Sequence, residues 1–146
     1  MGIENILYTK FLNAIYQETK AMIQTYDNLI PGIKNAELQA EAAISQRNFN
    51  AIANECELLA KAENRNIKDN SWLEKATKWT TEKLAVMANN SNESFASLIM
   101  ESAAMGSLEC DKIQAEFVKV DKSLDELTSK LQKIFESAKE AMKEYI

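Results

Sequence analysis

Two carboxylates stand beside predicted core faces of helices, where they could do chemistry. Glu18 lies one helical turn before Met22, and Glu101 adjoins the small-residue run at 102–104. If both point inward from adjacent helices, they could hold a hard cation through oxygen ligands or share a proton with a raised pKa. The alternative is that they are half-exposed edge residues or bond to a tyrosine or a backbone group. We favour this alternative and keep Glu18 and Glu101 as candidate metal ligands without assigning a metal.

The remaining reactive residue types offer little for catalysis. The chain has no histidine, and its two cysteines, Cys56 and Cys110, have no basic cluster near them in the sequence. Without such neighbours a thiol keeps a high pKa and is a poor nucleophile. We therefore predict two buried, reduced thiols, no catalytic residues and no cofactor.

Three residues are candidate contacts with a partner. Gly106 stands inside a predicted helix, where glycine costs about 1 kcal/mol relative to alanine. We expect close packing there against helix 1 or an identical chain, with a ligand slot as the alternative. Trp72 and Trp79 lie two turns apart on a third helix and either clamp it onto the other helices, which we favour, or contact a partner.

Composition predicts one all-helical domain spanning residues 1–146. The chain is 46% apolar, with three glycines and one proline. Folds rich in strands and turns contain more glycine and proline than this. Its net charge of −5 is spread along the chain, which argues against nucleic acid as a partner. No segment approaches the ~20 apolar residues of a membrane span, and the N-terminal segment lacks a signal-peptide pattern. We expect an acidic, cytoplasmic protein.

The spacing of apolar residues predicts five helices. Steps of three and four residues recur along the chain and are interrupted at Pro31-Gly32 and at polar segments. Gly32 is expected to accept left-handed backbone angles, Asn35 to cap the second helix, and Ser71 and Ser123 to open capping boxes. The predicted helices span residues 3–30, 36–63, 72–89, 92–119 and 124–145.

The last two predicted helices have an alternative. The apolar series continues in phase from Ile99 to Tyr145, which would also fit one helix of ~54 residues in an elongated coiled-coil dimer. The cap-forming residues at 120–126 favour a hairpin, as do the nearly equal lengths of the four long helices. We therefore predict two helices.

Segments 15–31, 53–61 and 96–112 resemble the ferritin-like superfamily and, more narrowly, small uncharacterised bacterial four-helix proteins. The resemblance implies an antiparallel four-helix bundle of two long hairpins, with an extra shorter amphipathic helix in the crossover. Ferritin-like di-iron sites also take a Glu-x-x-His motif from each of two helices. Here the glutamates of the corresponding helices are followed three residues later by Leu58, Ser129 and Lys139. The family's metal chemistry is therefore not implied for this chain.

These observations predict a non-catalytic helical-bundle protein that acts by binding another protein or by self-association. The first alternative is a degenerate ferritin-like protein that binds a metal or a small apolar ligand between helices through Glu18 and Glu101. The second alternative is the elongated coiled-coil dimer.

Overall fold

The computed structural model describes residues 3–67, 70–87 and 89–146, apart from the side chains of residues 3 and 4. The described residues contain no strand, so the prediction of an all-α protein is confirmed. None of the described helices is long and apolar enough to cross a membrane. The helices are α1 (Ile3–Leu29), α2 (Ala36–Ala62), α3 (Ser71–Val86), α4 (Asn92–Glu116) and α5 (Lys122–Met142), with short 3-10 turns at Ile30–Gly32 and Lys143–Tyr145.

Residues 92–145 form two long helices that pack against each other. The prediction of a hairpin is confirmed, and the single long helix is wrong. The predicted cap at Ser123 is also wrong, because the Asp121 side chain accepts the hydrogen bond from the Leu124 amide at 2.9 Å. Asp121 has extended backbone angles, and its carboxylate is well suited to the free amides of a helix N-terminus.

The link between α1 and α2 is a 3-10 turn containing Pro31 and Gly32. Gly32 does not adopt left-handed angles, contrary to expectation. Its missing side chain instead makes room for Phe95, since an ideal Cβ on Gly32 would lie 2.8 Å from the Phe95 Cζ atom. Asn35 caps α2 as predicted, accepting a hydrogen bond of 2.9 Å from the Leu38 amide.

Helix α3 begins one residue earlier than predicted, which moves its cap position from Ser71 to Asn70. The Asn70 side chain makes no capping hydrogen bond. The Gln17 side chain from α1 accepts a hydrogen bond of 3.2 Å from the Trp72 amide. A neighbouring helix therefore satisfies one of the free amides at this helix start.

Contacts between side chains fix the helix directions. Helices α1 and α4 run antiparallel, since Phe11 stacks on Phe117 near one end while Ser102 donates a hydrogen bond to Met22 further along. Helices α2 and α5 are also antiparallel neighbours, since Phe49 packs on Phe135 while Glu55, further along α2, pairs with Lys130, earlier in α5. Helix α3 runs beside α1 in the same direction and returns the chain toward the start of α4.

The predicted apolar series form the core, which includes Leu12, Ile52, Ile99 and Leu131. The sequence pattern missed several buried positions. Three of these are threonines whose hydroxyl groups donate to the carbonyl four residues earlier in the same helix. Because that bond satisfies the hydroxyl, threonine can be buried without another partner. These bonds run from Thr25 to Ala21, from Thr80 to Ala76 and from Thr128 to Leu124.

Candidate functional site

A groove lies between α3 and α4, with α1 as its floor, and we call it the α3–α4 groove. Its volume is about 480 Å³. Ala21 and Met22 of α1 form the floor, Trp79 of α3 forms one wall, and Met105 of α4 forms the other. The groove therefore presents mainly apolar surface to solvent.

Small residues hold the groove open. Both α3 and α4 pack along α1, and the residues that they turn toward the groove include Ala76, Ser102 and Gly106. These side chains are too small to fill the space between the helices. Outside the groove, Lys83 of α3 joins Glu101 of α4 through an ion pair of 2.9 Å.

Gly106 exposes part of the core to the groove. A Cβ atom on Gly106 would overlap the ring of Phe135, which belongs to α5. Within the chain, the close packing at Gly106 is made with Phe135 of α5, whose ring occupies the space that a side chain would need. Phe135 also lines the groove at its base although it is only 1% exposed.

Glu18 is the carboxylate that faces the groove from α1. Among the described residues, nothing donates a hydrogen bond to the carboxylate of Glu18 or forms an ion pair with it. Burial, and to a smaller extent the carboxylate of Glu109, raises its pKa to about 7, against the opposing effect of Lys75 and Lys112. Near neutral pH the protonated and charged forms of Glu18 therefore coexist.

Glu101 lies outside the groove. Its carboxylate pairs with Lys83, and 45% of its side chain is exposed. The two candidate metal ligands are therefore in different environments, Glu18 in the groove and Glu101 on the surface beside it. Within residues 3–67, 70–87 and 89–146, no cluster of three or more histidine, cysteine, aspartate or glutamate side chains is arranged to hold a metal ion.

The two tryptophans have different surroundings. Trp79 is partly buried, packs against the core and lines the groove, with Lys83 Nζ 5.7 Å from the centre of its ring. Trp72 lies at the start of α3, where Lys20 Nζ is 5.0 Å from the ring centre. Of the two, Trp79 is therefore the one placed to touch an occupant of the groove.

Both cysteines are free and buried, as the sequence predicts. Burial raises the pKa of Cys56 and of Cys110 to about 12, and neighbouring carboxylates add to the effect. At neutral pH both thiols are protonated and therefore weak nucleophiles.

Sequence reasoning missed the polar end and the outer rim of the groove. Lys75, Glu109 and Lys112 stand around Glu18, and Glu109 pairs with Lys112 at 3.2 Å. Leu108 lies on the rim and is 62% exposed. Its only signal in the sequence is that an apolar residue stands outside the regular series of its helix.

The groove combines apolar surface with a protonatable carboxyl group and two lysines. An apolar surface with charged groups at one end is suited to contact with an amphipathic molecule. No protein-family model, curated protein or solved structure matches this chain significantly.

Proposed function

We propose that this chain is a non-catalytic binding protein that holds an amphipathic helix of another protein in the α3–α4 groove. The observation that carries the proposal is an open apolar groove between two helices, with Met105 and Leu108 exposed at its rim by 45% and 62%. An amphipathic helix inserts apolar side chains at three- and four-residue spacing into a groove of this kind. Such a helix would cover Met105, Leu108 and Trp79 together.

The polar end of the groove supports a partner that carries basic residues. The carboxylate of Glu18 forms no hydrogen bond or ion pair with a described residue, whereas the nearby Glu109 is already paired with Lys112. A lysine or arginine at the end of the bound helix would supply the missing partner of Glu18. Pairing with a cation would also favour the charged form of Glu18 and so lower its pKa.

We further propose that α1, α2, α4 and α5 form a ferritin-like bundle with α3 in its crossover. The support is the order of contacts, with α1 against α2 and α4, and α5 against α2 and α4. The two hairpins and the return of the chain along α3 agree with this arrangement. The proposal concerns the fold alone, since the chain has no histidine for di-iron chemistry.

Site-specific photocrosslinking tests the protein-binding proposal. A photoreactive amino acid at Leu108 should capture a partner protein in an extract of the native host. The same amino acid at Val118, which lies in the turn after α4 and is 61% exposed, serves as the matched control. Capture from position 108 should be lost when Met105→Glu is added, and the crosslinked peptides should map to one face of a helix.

Two results would contradict this function. One is capture from position 108 that Met105→Glu leaves unchanged, because the groove would then not be required. The other is crosslinked partner segments without helical spacing of apolar residues.

A small amphipathic molecule is the second candidate occupant. The volume of about 480 Å³ falls in the range of small-molecule sites, and the unpaired Glu18 would suit an amine group. A titration with dodecylamine, followed by amide chemical shifts, tests this candidate. Shifts at groove residues that disappear in Glu18→Gln support it, whereas shifts that persist in the variant or spread over the whole surface contradict it.

A further inference from the structure

The outer face of α2 carries apolar residues in a line. Ile44, Ala51 and Leu58 follow one another at seven-residue spacing, which is two helical turns, so they share one face and span about 21 Å. Ile44 and Leu58 are 49% and 68% exposed, and Ala51 is exposed as well. The opposite face of α2 packs against α1 and α5. We call the exposed line the α2 outer stripe.

The charges beside the stripe are arranged so that they complement a second copy running in the opposite direction. When two α2 helices meet antiparallel at Ala51, a residue that precedes Ala51 in one copy lies at the same height as the residue that follows Ala51 by the same number of positions in the other copy. Ile44 of one copy then meets Leu58 of the other, and Arg47 meets Glu55.

The same residues disfavour a parallel pair. In a parallel pair in register, each residue lies at the same height as the identical residue of the other copy. Arg47 would then face Arg47, and Glu55 would face Glu55. Like charges at such positions destabilise helix pairing, and opposite charges set its orientation. The order of charges along α2 therefore selects the antiparallel arrangement.

The side chains needed for this contact are available. Among the described residues, the side chain of Arg47 forms no hydrogen bond or ion pair. Glu55 has a single long ion pair with Lys130, at 3.5 Å, in which both side chains are substantially exposed. Such exposed pairs contribute little and exchange easily. Ala51 at the centre leaves the two helices free to approach closely.

We propose that two copies of this chain associate through the α2 outer stripe, antiparallel about a twofold axis at Ala51. The contact is independent of the proposed groove function, because no residue of α2 lines the α3–α4 groove. Each copy in the dimer would keep its own groove open. Failure of one proposal therefore leaves the other in place.

Sedimentation equilibrium of the full chain tests the association. The mass should rise with concentration from 16.5 kDa toward twice that value, over a range reaching about 1 mM because a contact of this size is expected to be weak. Leu58→Glu should abolish the rise. Leu108→Glu, a matched change at a residue of similar exposure on the groove rim, should leave it unchanged.

Charge reversal tests the pairing of Arg47 with Glu55. Arg47→Glu should weaken association about tenfold, because two glutamates would then meet at each end of the contact. Adding Glu55→Arg to the same chain should restore the original affinity. Failure of the second change to restore it would overturn the antiparallel register.

Disulfide trapping tests the orientation directly. Mixing Ile44→Cys protein with Leu58→Cys protein under mild oxidation should give a crosslinked pair, whereas either protein alone should not. The native cysteines are buried and should stay unreacted. Crosslinking of Ile44→Cys with itself, a monomer at every concentration, or a dimer that survives Leu58→Glu would each overturn the proposal. Circular dichroism melts should show that all variants keep the parent fold.

Discussion

Glu18 shows how one carboxyl group can link the groove to the stability of the protein. Its pKa rises to about 7 in the folded chain from an ordinary value of 4.5, so folding favours the protonated form. Below about pH 4.5 the group is protonated in both states and carries no penalty. As the pH rises to 7 the unfolded state releases this proton first, and the folded state loses relative stability.

Replacing Glu18 with glutamine should remove this pH-dependent loss. We expect Glu18→Gln to gain roughly 1–3 kcal/mol relative to the parent between about pH 4.5 and pH 8, and the gain to level off above pH 7. Urea unfolding at a series of pH values measures the difference. Glu101→Gln is the matched control, and a similar pH trend in that variant would contradict the assignment to Glu18.

Gly106 allows packing and helix propensity to be compared at one position. Alanine would favour the helix by about 1 kcal/mol, but its Cβ would overlap the Phe135 ring. Because overpacking usually costs 1–3 kcal/mol, we expect Gly106→Ala to destabilise the protein by roughly 1–2 kcal/mol. Thermal unfolding measures the change. Phe135→Leu should reduce the cost of the alanine in a double-mutant cycle, and a stabilised Gly106→Ala variant would contradict the contact.

For individual residues, the sequence pattern placed Glu18 beside a core face but did not predict which side chains surround it. Lys75 and Glu109 come near it only because α3 and α4 both pack on α1. Glu101 occupies an equally plausible position in the sequence pattern, yet it pairs with Lys83 on the surface. No local pattern separates the two residues, since the difference arises from the placement of a third helix.

The helices themselves follow from periodicity, while their caps depend on backbone angles. The series of apolar residues predicted five helices, and their ends lie within a few residues of the observed ones. Ser123 and Asp121 are both good capping types two residues apart, and only the extended backbone at Asp121 decides between them. Gly32 is a similar case, because its role depends on Phe95 from a distant segment.

The cap of α5 can be tested by paired substitutions. Asp121→Ala should destabilise the protein by about 1 kcal/mol, because the Leu124 amide loses its hydrogen-bond acceptor. Ser123→Ala should be nearly neutral, since Ser123 is exposed and lies inside the helix. Guanidinium unfolding of the two variants compares them. Equal losses of unfolding free energy, or a larger loss for Ser123→Ala, would support the capping box predicted at Ser123 and contradict the cap at Asp121.

The whole molecule depends on the burial of one face of each long helix. Ile52 is 2% exposed, whereas Ala51 beside it faces solvent. Ile52→Asp should abolish cooperative folding, because a charge without a partner would be buried in the core. Ala51→Asp should keep a cooperative melt at low protein concentration. Circular dichroism on heating distinguishes the two, and a cooperative melt of Ile52→Asp near the parent temperature would contradict the packing of α2.

Phe135 connects the groove to the core of the fold. Its ring lies at the base of the α3–α4 groove and also packs on Phe49 of α2, with ring centres 4.8 Å apart, and Phe49 in turn contacts Tyr26 of α1. An occupant would therefore touch an aromatic cluster that is assembled only in the folded state. Through thermodynamic linkage, an occupant at one hundred times its dissociation constant would stabilise the chain by about 2.7 kcal/mol. A rise in melting temperature would thus reveal binding in the groove before the chemistry of the bound molecule is known.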